Sequence, residues 1–181
     1  MGIIADISER KELENQLAHL ATHDPLTGLP NRRSLEETLN RVTARARRGV
    51  ASSLLFLDLD NFKEVNDVKG HAAGDKALVA VARQIQEQLR AEDLLVRLGG
   101  DEFAVVLEGA TSDDFQATAE RIRQAVKEFR FSIDEYILNL TLSIGAVVID
   151  GQHTPQMHLS RADAAMYKAK DQGGDRIMLY E

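Results

Sequence analysis

"RLGGDEFAVVL" (residues 97–107) joins two apolar runs of strand type through four residues that pack poorly in a core: Gly99, Gly100, Asp101 and Glu102. Adjacent glycines between strands predict a tight hairpin, because glycine adopts positive φ without steric cost. A plain turn has no use for two carboxylates at its exit, directly before Phe103. A third acid stands in a comparable place upstream. "ASSLLFLDLD" (51–60) reads as a buried strand whose apolar run stops at Asp58 and Asp60. If both strands are central in one sheet, Asp58, Asp101 and Glu102 converge at one edge. Carboxylates gathered that closely stay ionised together only beside a cation. Mg²⁺ suits the purpose, since it takes one or two carboxylates plus substrate phosphate oxygens. Two unrelated turns carrying solvated acids remain the competing reading of this string alone.

The bulk numbers narrow the class. The chain has 181 residues, 44% hydrophobic and 28% charged, which suits one soluble domain with a short appendage. A formal net charge of −7 argues against a general polyanion binder, so nucleic acid is not an expected partner. The absence of cysteine excludes disulfides, thiolate catalysis and cysteine zinc sites. No apolar run approaches the roughly 20 residues of a membrane helix. "MGIIADI" is too short and too acidic for a secretory signal. A cytoplasmic setting without direct membrane contact is the expectation, although a longer parent protein could be membrane-tethered.

Along the chain, Gly2–Ile7 reads as a strand without partners, followed by Ser8 as an N-cap and by Leu13, Leu17 and Leu20 on one helical face. That helix either packs on its own domain or forms a short dimeric coiled coil. "DPLTGLPNRR" (24–33) is loop chemistry. A helix is predicted from about Ser34 to Arg48, ending at Gly49. "GDKALVAVARQIQEQLR" is amphipathic, with Leu78, Val81, Ala82 and Ile85 on one face. A helix over about 113–129, a paired-strand region over 131–148, a helix over about 155–170 and a final strand "RIMLY" follow. Hairpins mixed with crossovers predict an α+β fold, with helices wrapped on a mainly antiparallel central sheet.

Taken together, "DPLTGLPNRR", "DLDNFKEVND" with "GHAAGD", "RLGGDEF", "LSIGA" and "ADAAMYKAK" resemble the GGDEF family of diguanylate cyclases from about Asp24 to the C-terminus. The resemblance implies a fold of the nucleotidyl-cyclase and polymerase-palm, ferredoxin-like type, spanning 23–181. It also implies condensation of two GTP into cyclic di-GMP with release of pyrophosphate. By motif, Asp58 and the backbone carbonyl of Leu59 would bind Mg²⁺ (or Mn²⁺), with Asp101 and Glu102 completing the metal cluster. Asp101 would also help remove the 3′-hydroxyl proton. Gly99 and Gly100 would let the triphosphate approach the backbone.

Asn66, His71 and Asp75 match the family's guanine- and substrate-binding positions. A carboxylate suits guanine, whose N1–H and N2–H form a donor pair that adenine lacks. Asp75 also reads as the N-cap of the helix after it, and His71 as a turn residue. Lys63 and Lys170 match the phosphate-binding positions. The chain departs from the family at one point: "KDQGGDR" puts Gly174 where a phosphate-clamping arginine is usual, with Arg176 two residues later. Either Arg176 reaches back, or the two lysines carry the triphosphate with less help.

"RAED", Arg90 to Asp93, lies five residues before Gly99, the spacing of the family's RxxD inhibitory site for cyclic di-GMP. Arg121 matches a position used as a second arm from a neighbouring subunit. A solvated helix C-terminus is the bland alternative for Arg90. Each subunit in the family holds one GTP, so a homodimer is implied for catalysis. Residues 1–22 resemble the end of a PAS-type sensor and its linker helix, implying an upstream sensor domain. A catalytically inactive GGDEF-like receptor for GTP or cyclic di-GMP is the competing function. The presence of Asp58, Asp101 and Glu102 speaks for the enzyme.

Overall fold

The computed structural model describes residues 19–110, 112–133 and 136–180. Its elements in chain order are α1 (Arg32–Ala46), β1 (Ser52–Leu59), α2 (Phe62–Lys69), α3 (His71–Gln86), β2 (Leu94–Gly99), β3 (Glu102–Glu108), α4 (Ser112–Glu128), β4 (Phe131–Ile133), β5 (Tyr136–Leu138), β6 (Leu142–Ile149), α5 (Pro155–Asp171) and β7 (Arg176–Leu179). The central sheet runs β2-β3-β1-β6-β7. All its pairings are antiparallel except β6 with β7. The expected α+β architecture is therefore present. The predicted Gly2–Ile7 strand and the helix face of Leu13 and Leu17 lie outside the described residues. Residues 19–22 are helical, and Leu20 is 57% exposed.

β1 lies between β3 and β6 and is buried along its whole length, so both faces need apolar cover. Strand alternation divides its side chains. Leu55, Leu57 and Leu59 join Phe103, Val105, Ile144 and the inner faces of α3 and α4. Leu54 and Phe56 join Ala104, Val106 and Val147 against α1 and α5. Asp58 continues the second set, so its carboxylate is aimed at the α1/α5 side.

Local chemistry sets the element ends. Asn31 caps α1, its side chain accepting from the backbone N–H of Arg33 at 3.0 Å and of Ser34 at 3.4 Å. Thr154 caps α5 with Pro155 at the first helical position. The sequence reading differs from the structure at two places. "FKEVNDVK" forms a separate helix, α2, and α3 begins at His71, ahead of the amphipathic stretch that opens at Gly74 and of the N-cap expected at Asp75. Gly70, at φ 80°, makes the break between them. The predicted paired-strand region splits into a two-stranded ribbon, β4-β5, and the central β6.

α5 approaches the sheet unusually closely. A Cβ on Gly145 would lie 2.0 Å from the Ala162 carbonyl oxygen and 2.2 Å from the Met166 nitrogen. Three of the four alanines of "ADAAMYKAK", Ala162, Ala165 and Ala169, are buried on this side of α5, while Ala164 is exposed. The glycine in "LSIGA" thus sets the height of α5 over β6, and with it the reach of Asp163 and Lys170. Because backbone obstructs the added methyl, Gly145→Ala should destabilise the fold by about 1–3 kcal/mol. A fall in Tm of several degrees in thermal unfolding would be the readout.

Candidate functional site

The end of β1 meets the β2–β3 hairpin. Asp58 stands directly opposite Glu102 in the ladder, so the two carboxylates share one face. Gly99 (φ 145°) and Gly100 (φ 52°) form the turn, and a bulge at Leu98 separates the pairs Arg97–Phe103 and Gly99–Glu102. Asp101 is carried in the turn, its carbonyl accepting from Leu59 N at 3.3 Å. The three predicted acids therefore come together.

Arg97 locks this turn in place, a role the sequence reading did not assign. Its Nη2 and Nε donate to the Gly100 carbonyl at 2.7 and 3.2 Å, and its Nη1 donates to both Asp24 oxygens at 2.9 and 3.0 Å. Asp24 also accepts from the Thr27 backbone and hydroxyl. Burial pushes the Asp24 carboxyl up, but the Thr27 and Arg97 bonds outweigh it and hold the group below its ordinary range. "DPLTG" is thus the anchor of the acidic turn. Both partners were visible in the quoted motifs, but nothing local links residues 73 positions apart.

Asp58 is only 6% exposed. Desolvation pushes its pKa up to about 6, despite the opposing Lys170 ammonium and with the help of Asp101 and Glu102. Lys170 Nζ forms an ion pair with Oδ1, but that oxygen lacks a well-aligned hydrogen bond. Glu102 is also raised, first by burial and then by Asp163 and Asp101, with Arg32 opposing. Asp163 on α5 and Arg32 on α1 join Glu102, Phe56, Leu159 and Ser160 around a cleft of about 270 Å³. Among the described residues, no three His, Asp or Glu side chains are gathered tightly enough to hold a metal alone. The donor set still fits a hard cation completed by substrate oxygens: a buried carboxylate oxygen underserved by its one ammonium, with Asp101 and Glu102 beside it.

A second cleft of about 270 Å³ lies at the same strand end, lined by Asp60, Asn61, Lys170, Gly173 and Gly174. Asp60 organises it, accepting from Thr141 Oγ1 at 2.7 Å, Ser143 Oγ at 2.6 Å and Asp175 N at 2.9 Å. A Cβ on Gly174 would approach that fixed carboxylate to 2.9 Å, and Gly174 has φ 70°. These two constraints account for glycine at this position. Asn61 precedes α2 without a side-chain cap, and Lys63 is exposed in the first turn of that helix.

Of the predicted base-binding residues, Asn66 packs against the Cα of Gly74, where an added Cβ would meet its Oδ1 at 2.0 Å. His71 and Asp75 are exposed on α3, one turn apart. Asp75 is not an N-cap, because Gly70 fills that place and Asp75 stands in the second turn. In the RAED segment the Asp93 carboxylate accepts from Arg90 N at 2.9 Å, which closes a tight turn. Arg121 Nη2 donates to the Gln88 carbonyl at 2.6 Å, placing Arg121 beside that turn within one chain.

The family described as "Diguanylate cyclase, GGDEF domain" matches residues 21–176. The chain is 40% identical over 166 residues to diguanylate cyclase DgcP of Pseudomonas aeruginosa, covering 91% of this chain and 25% of that protein. It is 37% identical over 178 residues to diguanylate cyclase DgcM of Escherichia coli K12, covering 97% of this chain and 42% of that one. It therefore spans less than half the length of either relative. The coiled coil and GGDEF domain of DgcB from Caulobacter crescentus, solved in complex with c-di-GMP, superposes with a TM-score of 0.89 at 29% identity. That match covers 97% of this chain and 94% of the other.

The raised Asp58 pKa has a consequence for stability. Between the ordinary value of 3.8 and about 6, the folded protein holds a proton that the unfolded chain releases. Stability from this group therefore falls as pH rises through that window, and the full penalty applies above it. Asp58→Asn should raise the metal-free Tm at pH 7.5, by about 1–3 kcal/mol in stability. The gain should vanish near pH 3.5; thermal melts across that range check it.

Proposed function

The chain belongs to the GGDEF, diguanylate cyclase family, and on that footing we propose that it condenses two GTP into cyclic di-GMP, releasing two pyrophosphates. The observation that carries this reading is the buried Asp58, in register with Glu102 and beside Asp101, paired with the Lys170 that lines a glycine-rich cleft.

Asp58, the Leu59 carbonyl, Asp101 and Glu102 would hold Mg²⁺ or Mn²⁺. When bound, the ion supplies charge neutralisation at the phosphates and a lowered pKa for the attacking hydroxyl. Each bond-forming step joins a ribose O3′ to the α-phosphorus of the other GTP while the bond to the β-phosphate breaks. Asp101 takes up the hydroxyl proton, for which a carboxylate on a fixed turn is suited. Lys170 and Lys63 bind phosphate, and the uncapped start of α2 presents backbone N–H groups to it. Asn66 and Asp75 read the guanine edge, with His71 beside them. Gly99 and Gly100 keep the acidic turn clear of side chains.

Because one chain holds one GTP, catalysis requires a homodimer with two sites face to face. A sensor domain upstream of residue 23 would control that alignment in the cytoplasm, with or without a membrane tether elsewhere. Among the described residues, no helix is long and apolar enough to cross a membrane. The closed Arg90–Asp93 turn with the Arg121 guanidinium beside it supports a product-binding brake, since a cation and a carboxylate stand close together at one surface. Gly174 favours the competing reading, a receptor that binds GTP or cyclic di-GMP without turnover.

Incubation with GTP and Mg²⁺ over a range of protein concentrations separates the two. A cyclase gives cyclic di-GMP by mass spectrometry, at a rate rising faster than linearly with protein. Asp101→Ala should lower that rate by about 100-fold or more. Bound nucleotide without product at every concentration would establish the receptor.

A further inference from the structure

The triphosphate cleft has a cation that the motif pattern does not assign. Arg176 is the first residue of β7, anchored opposite Ser143 in the sheet. Its side chain turns back over the preceding loop, with Nε donating to the Gly174 carbonyl at 3.1 Å and Nη1 to Gln172 Oε1 at 3.1 Å. The other terminal nitrogen, Nη2, lies 3.7 Å from where a Cβ on Gly173 would stand. Gly173 and Gly174 line the cleft, so the guanidinium lies against two side-chain-free residues of its rim.

The neighbouring charges leave that guanidinium unbalanced. Asp175 is committed to Arg123 and Lys127 of α4. Asp60 faces two hydroxyls and a backbone N–H. Lys170 is engaged with Asp58. Among the described residues, Arg176 has no carboxylate partner, and both of its bonds go to neutral oxygens. A buried ion pair would explain its posture structurally, but none exists. An arginine folded against two glycines at the rim of a cleft is arranged to meet an anion.

We infer that Arg176 binds the triphosphate of the nucleotide, supplying from β7 the guanidinium that glycine at 174 withholds. The inference rests on the GTP reading above. The geometry decides between the two routes open to this chain. An arginine at 174 would need its Cβ inside the fixed Asp60 carboxylate's contact distance, whereas Arg176 reaches the same turn from an ordinary strand position. Its bonds to Gly174 and Gln172 hold the side chain against the glycine turn at the cleft before any ligand arrives, which limits the entropy lost on binding.

The test is calorimetry of the whole 181-residue chain with GTP, GMP and guanosine, for wild type, Arg176→Gln and Arg176→Lys. Glutamine keeps a polar side chain able to bond the loop and removes the charge, and lysine keeps the charge and loses the fork. Arg176→Gln should weaken GTP about 10-fold or more, GMP by about 2-fold, and guanosine not at all. Lysine should recover most of the GTP loss, and Tm should be unchanged in both. Equal weakening of GTP and guanosine, or unchanged GTP affinity, overturns the inference and leaves Arg176 as a loop brace. Failure of wild type to bind GTP overturns it as well. GTP binding that depends on Arg176, without any cyclic di-GMP formed, upholds the phosphate role while the cyclase reading falls.

Discussion

A carboxylate buried at the end of a central strand is the constraint around which this molecule is arranged. Asp58 is taken out of water by the packing that makes β1 a core strand, and its desolvation is only partly offset by Lys170. Leaving a charge in that position costs stability, and a protein carries such a cost where a ligand relieves it. Glu102 shares the strain through the ladder, and Asp163 adds to it from α5. The site is electrostatically incomplete by construction, so in the proposed reading a cation and the phosphates that accompany it would bind to a place already prepared.

The scaffold around Asp58 is built from close backbone approaches. Gly145 lets α5 settle onto β6, which delivers Lys170 to Asp58 and Asp163 to the neighbourhood of Glu102. Gly74 lets α3 close on Asn66, bringing the predicted guanine-reading residues onto adjacent helices. Arg97 and Asp24 fix the acidic turn from the opposite side. Each of these removes freedom from a functional side chain by packing its support, an economical way to hold a constellation in the absence of ligand.

Asp60 has a different role from the acid two residues before it. It lies just past the end of β1, where strand alternation no longer sets its direction, and Thr141, Ser143 and the Asp175 backbone satisfy it. It ties the ends of β1 and β6 to the turn before β7, and its carboxylate fills the space that a side chain at 174 would need. One aspartate of "DLD" is thus assigned to the proposed chemistry while the other shapes the cleft. The absence of a side chain at 174 is consistent with that second role.

The sequence by itself determined the elements, the sheet class and the acids. Period-two and period-3.6 apolar patterns are local, as are the caps at Asn31 and Thr154 and the glycine pair of the hairpin. Asp58, Asp101 and Glu102 could be singled out because charge at the end of an apolar run is visible in one dimension. What only the tertiary structure decided was distance between segments. The Arg97–Asp24 lock, the Asp60 network, the reach of Arg176 over Gly173 and the place of Arg121 beside the RAED turn each join residues from separate elements or across a folded-back loop. No periodicity encodes those contacts, because the sheet register and the height of α5 bring the partners together. The helix start at His71 was missed for a related reason: glycine at 70 breaks the chain locally, and whether α2 forms before it depends on Phe62 and Val65 finding the core.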